Sequence, residues 1–220
     1  PQAEFRLLGK PLKRLDTPQK VNGSAKYGID AQVSGLLIAV MAHAPLPGAK
    51  ATAFNDAAAR AIAGVRTVLS IPNGVAVLAD GYWAAKRGRD ALEVQWDLGP
   101  LAALSSQRVS EQLNSAATNA DASARDDGNV RDAAANSTLM LDVTYEAPYL
   151  AHACMEPMNC TAQVRGDEVE IWAGTQSPGR AQGILGQLAQ VAPERVKVNT
   201  MLLGGGFGRR FAPDFAVDAT

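Results

Sequence analysis

The sequence predicts an α/β fold, because stretches patterned like β-strands alternate with stretches of helical character along the chain. Residues 65–71 form a β-branched run of strand length, and residues 93–97 alternate between polar and apolar side chains. Between them, residues 82–92 have the length and composition of a helix. These three segments indicate a small α/β domain in the front half of the chain.

The predicted elements of the front half are bounded by proline and glycine turns, for example at residues 45–48 and 72–74. In chain order they are an extended arm (1–22), strands 25–29 and 36–41, a short helix 57–62, strands 65–71 and 75–79, helix 82–92 and strand 93–97. All three tryptophans are expected in the core. The inward face of helix 82–92 is predicted to hold Trp83, Ala84, Arg87, Ala91 and Leu92.

Residues 99–137 differ in character, since Ser, Ala, Asn, Asp and Arg dominate and strong hydrophobes are sparse. We expect a connecting segment with one short helix at 109–113. The predicted elements behind it are strand 139–145, a hairpin of 159–164 with 169–172, helix 178–191 and strand 195–203. The predicted domains are therefore residues 1–100, a connection over 101–137, and the truncated second domain 138–220.

The composition argues against several classes of function. The formal net charge is -1, from 21 basic and 22 acidic residues, so charge gives no case for nucleic acid as a partner. Cys154 and Cys160 are too few for an iron–sulfur cluster or a structural zinc site, and we expect two reduced thiols. No apolar run approaches the roughly 20 residues that span a bilayer. The residues at both ends, Pro1 and Thr220, lead us to expect a piece of a longer protein.

The motif Gly-Gly-Gly-Phe-Gly-Arg-Arg at residues 204–210 follows a predicted strand. Consecutive glycines let a ligand approach bare backbone and tolerate positive φ angles. Successive amide N–H groups can then converge on an oxygen or phosphate, while Arg209 and Arg210 supply charge and forked donors. The motif predicts an anionic cofactor site; the alternative is a tight turn with an exposed basic pair.

Two common phosphate-binding patterns do not fit this motif. A P-loop needs glycine at position 209, followed by lysine and then serine or threonine, whereas the chain has Arg209, Arg210 and Phe211. The third glycine of the dinucleotide fingerprint also falls on Arg209. These mismatches count against a generic nucleotide-binding protein.

Two further segments are candidates for the same pocket. Residues 174–178, Gly-Thr-Gln-Ser-Pro, lie between a predicted strand and a predicted helix. Thr175 or Ser177 can cap that helix, which leaves Gln176 free to offer both a donor and an acceptor. The alternative is a polar surface turn. Residues 148–159 are irregular yet rich in hydrophobic and reactive side chains, as is typical of a pocket lining.

In order and spacing, residues 155–159 (Met-Glu-Pro-Met-Asn), 174–178 and 204–210 resemble the large molybdenum-binding subunits of the xanthine dehydrogenase and aldehyde oxidoreductase family. The branch they resemble most is that of the isoquinoline 1-oxidoreductase β subunits. The front half resembles the family's α/β hammerhead domain at residues 23–27, at 64–65, and from 77–80 through the helix that contains Trp83 to 94–97. This resemblance implies a hammerhead domain followed by the first part of a molybdenum-cofactor-binding domain.

The resemblance implies a bound molybdopterin cofactor, in its cytosine dinucleotide form, in the full-length protein. Gln176 would hydrogen-bond an oxo ligand of molybdenum, and no residue here is expected to ligate the metal directly. The implied reaction is hydroxylation of an electrophilic carbon with oxygen from water, with electrons leaving through a separate 2Fe–2S subunit. The cofactor-binding residues that it implies are Gln176, Gly205, Gly206, Phe207, Gly208 and Arg209.

The family's general base is a glutamate later in the large subunit, so no catalytic residue, tight cofactor binding or activity is expected of this chain alone. Glu156, assigned to the substrate pocket, is interpreted as a buried carboxylate that accepts backbone amides. Phe211 stands where purine-oxidising relatives have a substrate-contacting glutamate, which favours an N-heterocycle or an aldehyde as substrate. His43 and His152 are interpreted as structural residues.

A second function of a different class remains open, namely a non-catalytic docking module whose hammerhead half binds a small iron–sulfur subunit. Relatives of this branch are often exported or membrane-associated. We therefore expect a bacterial parent protein in the periplasm or at the membrane, although the sequence itself carries no signal for either location.

Overall fold

A computed structural model describes residues 5–118, 122–123 and 125–220, so that part of the predicted arm (1–4) and part of the predicted connection (119–121, 124) lie outside the described residues. The α/β fold is confirmed. The helices are α1 (Thr17–Val21), α2 (Ala57–Arg60), α3 (Tyr82–Asp90), α4 (Ser106–Thr118), α5 (Val130–Ala135), α6 (Pro178–Ala189) and α7 (Asp214–Val217). The strands are β1 (Ile38–His43), β2 (Lys50–Asn55), β3 (Val65–Ile71), β4 (Gly74–Ala79), β5 (Glu93–Asp97), β6 (Thr161–Arg165), β7 (Glu168–Ala173) and β8 (Val196–Thr200).

The front half is built on an antiparallel sheet with strand order β1-β4-β3, beside an antiparallel ribbon of β2 and β5. Strand β4 is central and almost wholly buried because its small and β-branched side chains pack on both faces. Val77 pairs with Val40 on one side and with Val68 on the other. Together with Ala59 and Val75, Val68 and Val77 form the buried cluster of this half.

Several front-half predictions were wrong in detail. Residues 25–29 are not a strand, because the Asp30 carboxylate accepts the Tyr27 amide at 2.9 Å and closes a 3-10 turn over Gly28–Asp30. Strand β2 was not predicted, and the arm contains α1. Helix α3 buries Ala85 and Gly88, whereas Trp83 is 71% exposed.

The inward face of α3 differs from the prediction because Gly88 provides the close contact with the sheet. A Cβ on Gly88 would lie 2.7 Å from Val77 Cγ1, so the helix backbone rests directly on β4. That approach turns Trp83 outward, against Tyr82, with ring centroids 5.5 Å apart. The expectation of a fully core tryptophan set is therefore incorrect for this residue.

The rear half holds a mixed sheet of order β6-β7-β8, in which β6 and β7 form the predicted hairpin and β7 runs parallel to β8. Helix α6 connects the two parallel strands. The buried cluster of this half comprises Val169, Ile171, Ala173, Leu185, Val196, Phe215 and Ala216.

Residues 139–145 are not a strand, although their side chains alternate. Leu139, Leu141 and Tyr145 are each more than four-fifths exposed, and the segment pairs with no described strand. In the predicted connection, α4 is longer than the expected helix and α5 was not predicted. The division into domains stays a prediction. No described helix has the length and apolar character that crossing a bilayer requires.

The two halves contact each other near the end of β8. Tyr27 forms an isolated parallel bridge with Leu202, and the Ile29 amide donates a 3.1 Å hydrogen bond to Glu156 Oε1. At another point, the Asn73 side chain donates to Asp218 at 3.0 Å. Residues 27–29, predicted as a strand, thus connect the front half to the segment around Glu156.

Candidate cofactor-binding site

The candidate site lies at the carboxyl ends of β7 and β8. These strands stay paired as far as Ala173 and Thr200, and the Met201 amide then donates to the Ala173 carbonyl at 3.0 Å. Because adjacent parallel strands end at one edge of a sheet, residues 174–178 and 204–210 leave it side by side. The structure therefore brings these two motif segments together, and the third, residues 155–159, joins them through hydrogen bonds between Glu156 and Gly204.

Gln176 contacts the glycine motif directly. Its Oε1 accepts a 3.1 Å hydrogen bond from the Gly208 amide, and its own amide donates to the Arg210 carbonyl at 3.0 Å. Among the described residues, its Nε2 has no hydrogen-bond partner, and the side chain is exposed. We predicted that both ends of this amide would be free; the acceptor is in fact engaged, and only the donor is available.

The turn that carries Gln176 is held by a buried hydroxyl. Thr175 Oγ1 donates to the Arg210 carbonyl at 3.3 Å and accepts the Ser177 amide at 3.1 Å. Ser177 stands at the N-cap of α6 but makes no side-chain capping bond. Thr175 is 5% exposed, so it fixes the turn from inside the protein.

Glycine at the centre of the motif allows Gln176 to pack on bare backbone. A Cβ on Gly206 would lie 2.7 Å from Gln176 Oε1 and 3.1 Å from its Cδ. Gly205 has φ +104°, in the region that only glycine occupies readily. Phe207 also has a positive φ of 51°, and its ring is 74% exposed. The loop therefore presents an aromatic ring beside uncovered backbone.

Three consecutive amides of the loop are available to a ligand. Among the residues that the structure describes, the N–H groups of Gly205, Gly206 and Phe207 donate to no protein acceptor. The carbonyls beside them are engaged, since Gly204 O accepts from the Glu156 amide and Gly206 O accepts from the Arg209 amide. Together with Gln176 Nε2, these groups form a set of uncommitted donors suited to oxygen atoms or an anion.

Arg210 is neither a free cation for an anionic ligand, as we predicted, nor an exposed one, as in the alternative of a basic turn. Its side chain is fully buried, and the guanidinium donates to the carbonyls of Gly205 (2.8 Å) and Glu156 (2.7 Å). Longer bonds of 3.3 Å reach the carbonyls of Gly174 and Pro157. The burial of Arg210 could not be predicted from sequence, because it depends on backbone carbonyls that take the place of water around the guanidinium.

Glu156 has the buried role that we expected of it. Its carboxylate pairs with Arg210 at 3.0 Å, accepts the Gly204 amide at 2.9 Å and accepts the Ile29 amide at 3.1 Å. Asn159 Nδ2 donates to the same carboxylate at 2.9 Å. Because both oxygens are occupied, Glu156 offers no free carboxylate to a substrate, and its assignment to the substrate pocket stays a prediction without support from this geometry.

Arg209 is neutralised by a neighbouring carboxylate. It forms a forked pair with Asp214 at 2.8 and 2.6 Å, and this hydrogen bonding raises the pKa of Arg209. Burial tends to raise the pKa of Asp214, but the bonds from Arg209 outweigh it and lower that pKa overall. If Arg209 binds a cofactor, it therefore does so while its charge is balanced by Asp214.

Phe211 lies at the exposed edge of the site. Its ring is 51% exposed, and the Arg180 guanidinium lies 5.0 Å from the ring centroid. Arg180 belongs to the first turn of α6 and is also exposed. The pair offers an aromatic face and a cation near Gln176.

The two cysteines are free thiols, as expected. Cys154 Sγ lies 3.7 Å from the Gly206 carbonyl, next to the loop, whereas burial raises the pKa of Cys160 to about 12. His152 is exposed, and His43 lies near Asp218 in the other contact between the halves. Neither histidine has a recorded contact with the loop.

The fold and the donor set define a cofactor-binding α/β protein. Residues 112–219 match the family described as the molybdopterin cofactor-binding domain. The chain is 34% identical over 238 residues to isoquinoline 1-oxidoreductase subunit beta of Brevundimonas diminuta, which covers 99% of this chain and 29% of that relative. It is 35% identical over 231 residues to membrane-bound aldehyde dehydrogenase (pyrroloquinoline-quinone) of Gluconacetobacter polyoxogenes, which covers 100% and 30% respectively.

The fold also matches that of quinoline 2-oxidoreductase from Pseudomonas putida 86, with a TM-score of 0.66 at 18% identity over 92% of this chain and 31% of that one. Residues 112–219 thus carry a molybdopterin cofactor-binding domain, and the resemblance to isoquinoline 1-oxidoreductase β subunits that the motifs implied is confirmed over the length of the chain. The chain spans about 30% of the length of the curated relatives it matches.

Sequence reasoning missed two groups that shape the site. Arg210 was read as a ligand-binding cation, and Asn159 was noted only as part of a motif. Asn159 Nδ2 donates to Glu156 and to the Pro157 carbonyl. Its buried Oδ1 has no partner among the described residues, and a Cβ on Gly28 would lie 2.6 Å from it. The only sequence feature that could have indicated the bond between Asn159 and Glu156 is their spacing of three residues.

Proposed function

We propose that the chain is part of a molybdenum hydroxylase large subunit that oxidises an N-heterocycle or an aldehyde with oxygen from water. The observation that carries this proposal is the set of unpaired N–H donors at Gly205, Gly206, Phe207 and Gln176. They line bare backbone that a side chain at Gly206 would obstruct. Such a surface fits the oxygen-rich, anionic molybdopterin group, and we propose its cytosine dinucleotide form.

When bound, that group supplies a two-electron oxidation in which a C–H bond is replaced by a C–O bond, with oxygen from water and release of two protons. The contribution of this chain is to bind and orient. The amides of residues 205–207 would hold anionic oxygens, and Gln176 Nε2 would donate to an oxygen near the metal. Glu156 would not act as the base that accepts a proton during the reaction, because both of its carboxylate oxygens already accept hydrogen bonds. We place no catalytic base among these residues.

Phe211 supports the proposed substrate class. Its half-exposed ring lies at the edge of the donor set and offers an apolar face to a planar ring or an aldehyde. A glutamate there would instead offer hydrogen bonds to a polar purine. We propose that Phe211 favours apolar and aromatic substrates.

For electron acceptor, we propose a small 2Fe–2S subunit that docks on the front half. The exposed aromatic pair Tyr82 and Trp83 on α3 supports such a surface, since aromatic residues are enriched at interfaces. The same surface would serve in the alternative function, a docking module without catalysis. The bacterial periplasm or membrane remains the proposed location, which cell fractionation would test.

Metal and cofactor analysis of the full-length protein with its partner tests the main proposal. We expect molybdenum and a pterin to copurify with activity; an active preparation that holds neither would refute it. Pyrroloquinoline quinone, which appears in the name of one relative, would then be the cofactor to seek.

Gln176→Ala tests the site itself. We expect turnover to fall about a hundredfold or more, as for loss of one preorganised donor, with folding nearly intact. The matched control is Gln187→Ala, which changes an exposed glutamine of α6 outside the three motif segments. Equal turnover of the two variants would remove Gln176 from the site.

A further inference from the structure

We propose that the buried ion pair of Arg210 and Glu156 is the positioning unit of this site. It sets the direction in which the loop amides and Gln176 face, without contacting the ligand itself. The nature of the ligand rests on the proposed function, whereas the positioning role can be tested independently of it.

Peptide geometry links the direction of each loop carbonyl to that of the next amide. In a planar trans peptide, the C=O of one residue and the N–H of the next point in opposite directions. Arg210 Nε binds the Gly205 carbonyl at 2.8 Å, so the Gly206 N–H is directed away from the guanidinium. Likewise, the Glu156 amide binds the Gly204 carbonyl at 3.0 Å, which directs the Gly205 N–H away from Glu156. The Arg210 side chain and the Glu156 backbone thus turn carbonyls inward and leave amides outward.

Arg210 also holds the second segment of the site. Its guanidinium donates to the Gly174 carbonyl, and its own carbonyl accepts both the Gln176 amide and Thr175 Oγ1. Gln176 in turn accepts the Gly208 amide. One residue therefore fixes the turn that presents Gln176 and the loop that packs against it.

Glu156 completes the unit by connecting it to the front half. Its carboxylate binds Arg210, the Gly204 amide and the Ile29 amide, and its side chain is 5% exposed. Arg210 itself is fully buried with its donors committed, which excludes it as a cation for the ligand. A lysine has too few donors to replace it, because four carbonyls from three segments converge on the guanidinium.

The test compares variants of the full-length protein that carries these residues. Arg210→Met removes the clamp and leaves Glu156 buried and unpaired. The double variant Glu156→Gln with Arg210→Met leaves no unpaired charge, so it separates charge balance from positioning. Arg195→Met is the control, because Arg195 forms a surface ion pair with Asp167 on the hairpin. Thermal midpoint, bound molybdenum and amide hydrogen exchange at Gln176 and Gly208 are measured for each.

We expect Arg210→Met to lower the thermal midpoint, raise exchange at Gln176 and Gly208 about tenfold, and lower bound molybdenum. The double variant should recover only the part of the midpoint that the unpaired charge costs, because the four carbonyls still lack the guanidinium, and it should recover neither the slow exchange nor the molybdenum. Recovery of all three would overturn the proposal, because the pair would then serve only to balance charge. Unchanged exchange in Arg210→Met would overturn it as well.

If Arg210→Met does not fold, Arg210→Lys keeps the charge and is expected to show raised exchange at the same two amides; wild-type exchange in that variant would refute positioning. If the wild-type protein holds no molybdenum, the proposed function fails. The exchange data still decide the role of the pair in that case.

Discussion

Gly204→Ala should destabilise the protein strongly, because Gly204 packs against the Glu156 segment without space for a side chain. A Cβ at this position would lie 2.2 Å from Glu156 Cβ, 3.1 Å from its amide nitrogen and 3.2 Å from its Cα. Carbon atoms in contact prefer about 3.5–4.0 Å, so the two segments would have to separate by more than about 1 Å. Rotation of a flexible side chain cannot relieve this clash, since the nearest atoms are the Cβ and the backbone of Glu156.

The magnitude follows from what that separation disrupts. Overpacking of this kind costs about 1–3 kcal/mol. Two hydrogen bonds also lengthen, from the Gly204 amide to Glu156 Oε2 at 2.9 Å and from the Glu156 amide to the Gly204 carbonyl at 3.0 Å. Each contributes about 1 kcal/mol. We therefore expect the free energy of unfolding to fall by about 3–5 kcal/mol.

Urea unfolding of the 220-residue chain, followed by circular dichroism, measures this change. The control is Gly183→Ala in α6, where a Cβ meets nothing within 4 Å. We expect that variant to be stabilised by about 0.5–1 kcal/mol, because alanine favours helix. If Gly204→Ala unfolds within about 0.5 kcal/mol of the wild type, the clash argument is wrong.

Three other outcomes follow from the same structure. Gly206→Ala should change the free energy of unfolding by less than about 1 kcal/mol, because the nearest atoms belong to the movable Gln176 amide. The same variant should lower the molybdenum bound by the full-length protein, and binding equal to that of the wild type would contradict this prediction. Cys160 should resist alkylation at about pH 8 until the chain is unfolded, because burial raises its pKa to about 12. For the same reason the free energy of unfolding should fall as pH rises from about 9 towards about 12, since the thiol ionises more readily in the unfolded chain. Alkylation of Cys160 in the native chain would argue against this prediction. Trp83→Ala should lower the free energy of unfolding by less than about 1 kcal/mol, because the side chain is largely exposed; a larger loss would show packing that the exposure does not reveal.

Strands were predictable from sequence where a local strand pattern coincides with a neighbouring strand that pairs with it. Strands Val65–Ile71 and Glu93–Asp97 have the predicted bounds, since their β-branched or alternating residues lie in paired strands. Residues 139–145 show that alternation alone is insufficient, because a strand needs a partner for its backbone groups. Residues 25–29 were mispredicted since one side chain, Asp30, competes locally for the backbone.

The candidate site was predictable in its segments but not in its interior. Glycines and a turn glutamine identify where a ligand can approach, and the parallel strands explain why those segments meet. The burial of Arg210 depends on carbonyls from residues 36 and 54 positions away, which no local pattern reveals. The assignment of cofactor-binding residues stays a prediction.

The contact between Ile29 and Glu156 has a consequence for the order of folding. These residues are 127 positions apart, so closing that loop is among the slower events by which the chain gains contacts. The β7–α6–β8 unit is local and can form earlier, but the Glu156 carboxylate obtains its last partner only when the front half arrives. The base of the loop would thus be completed late, when the two halves dock, and a cofactor would meet a finished loop only after that contact has formed.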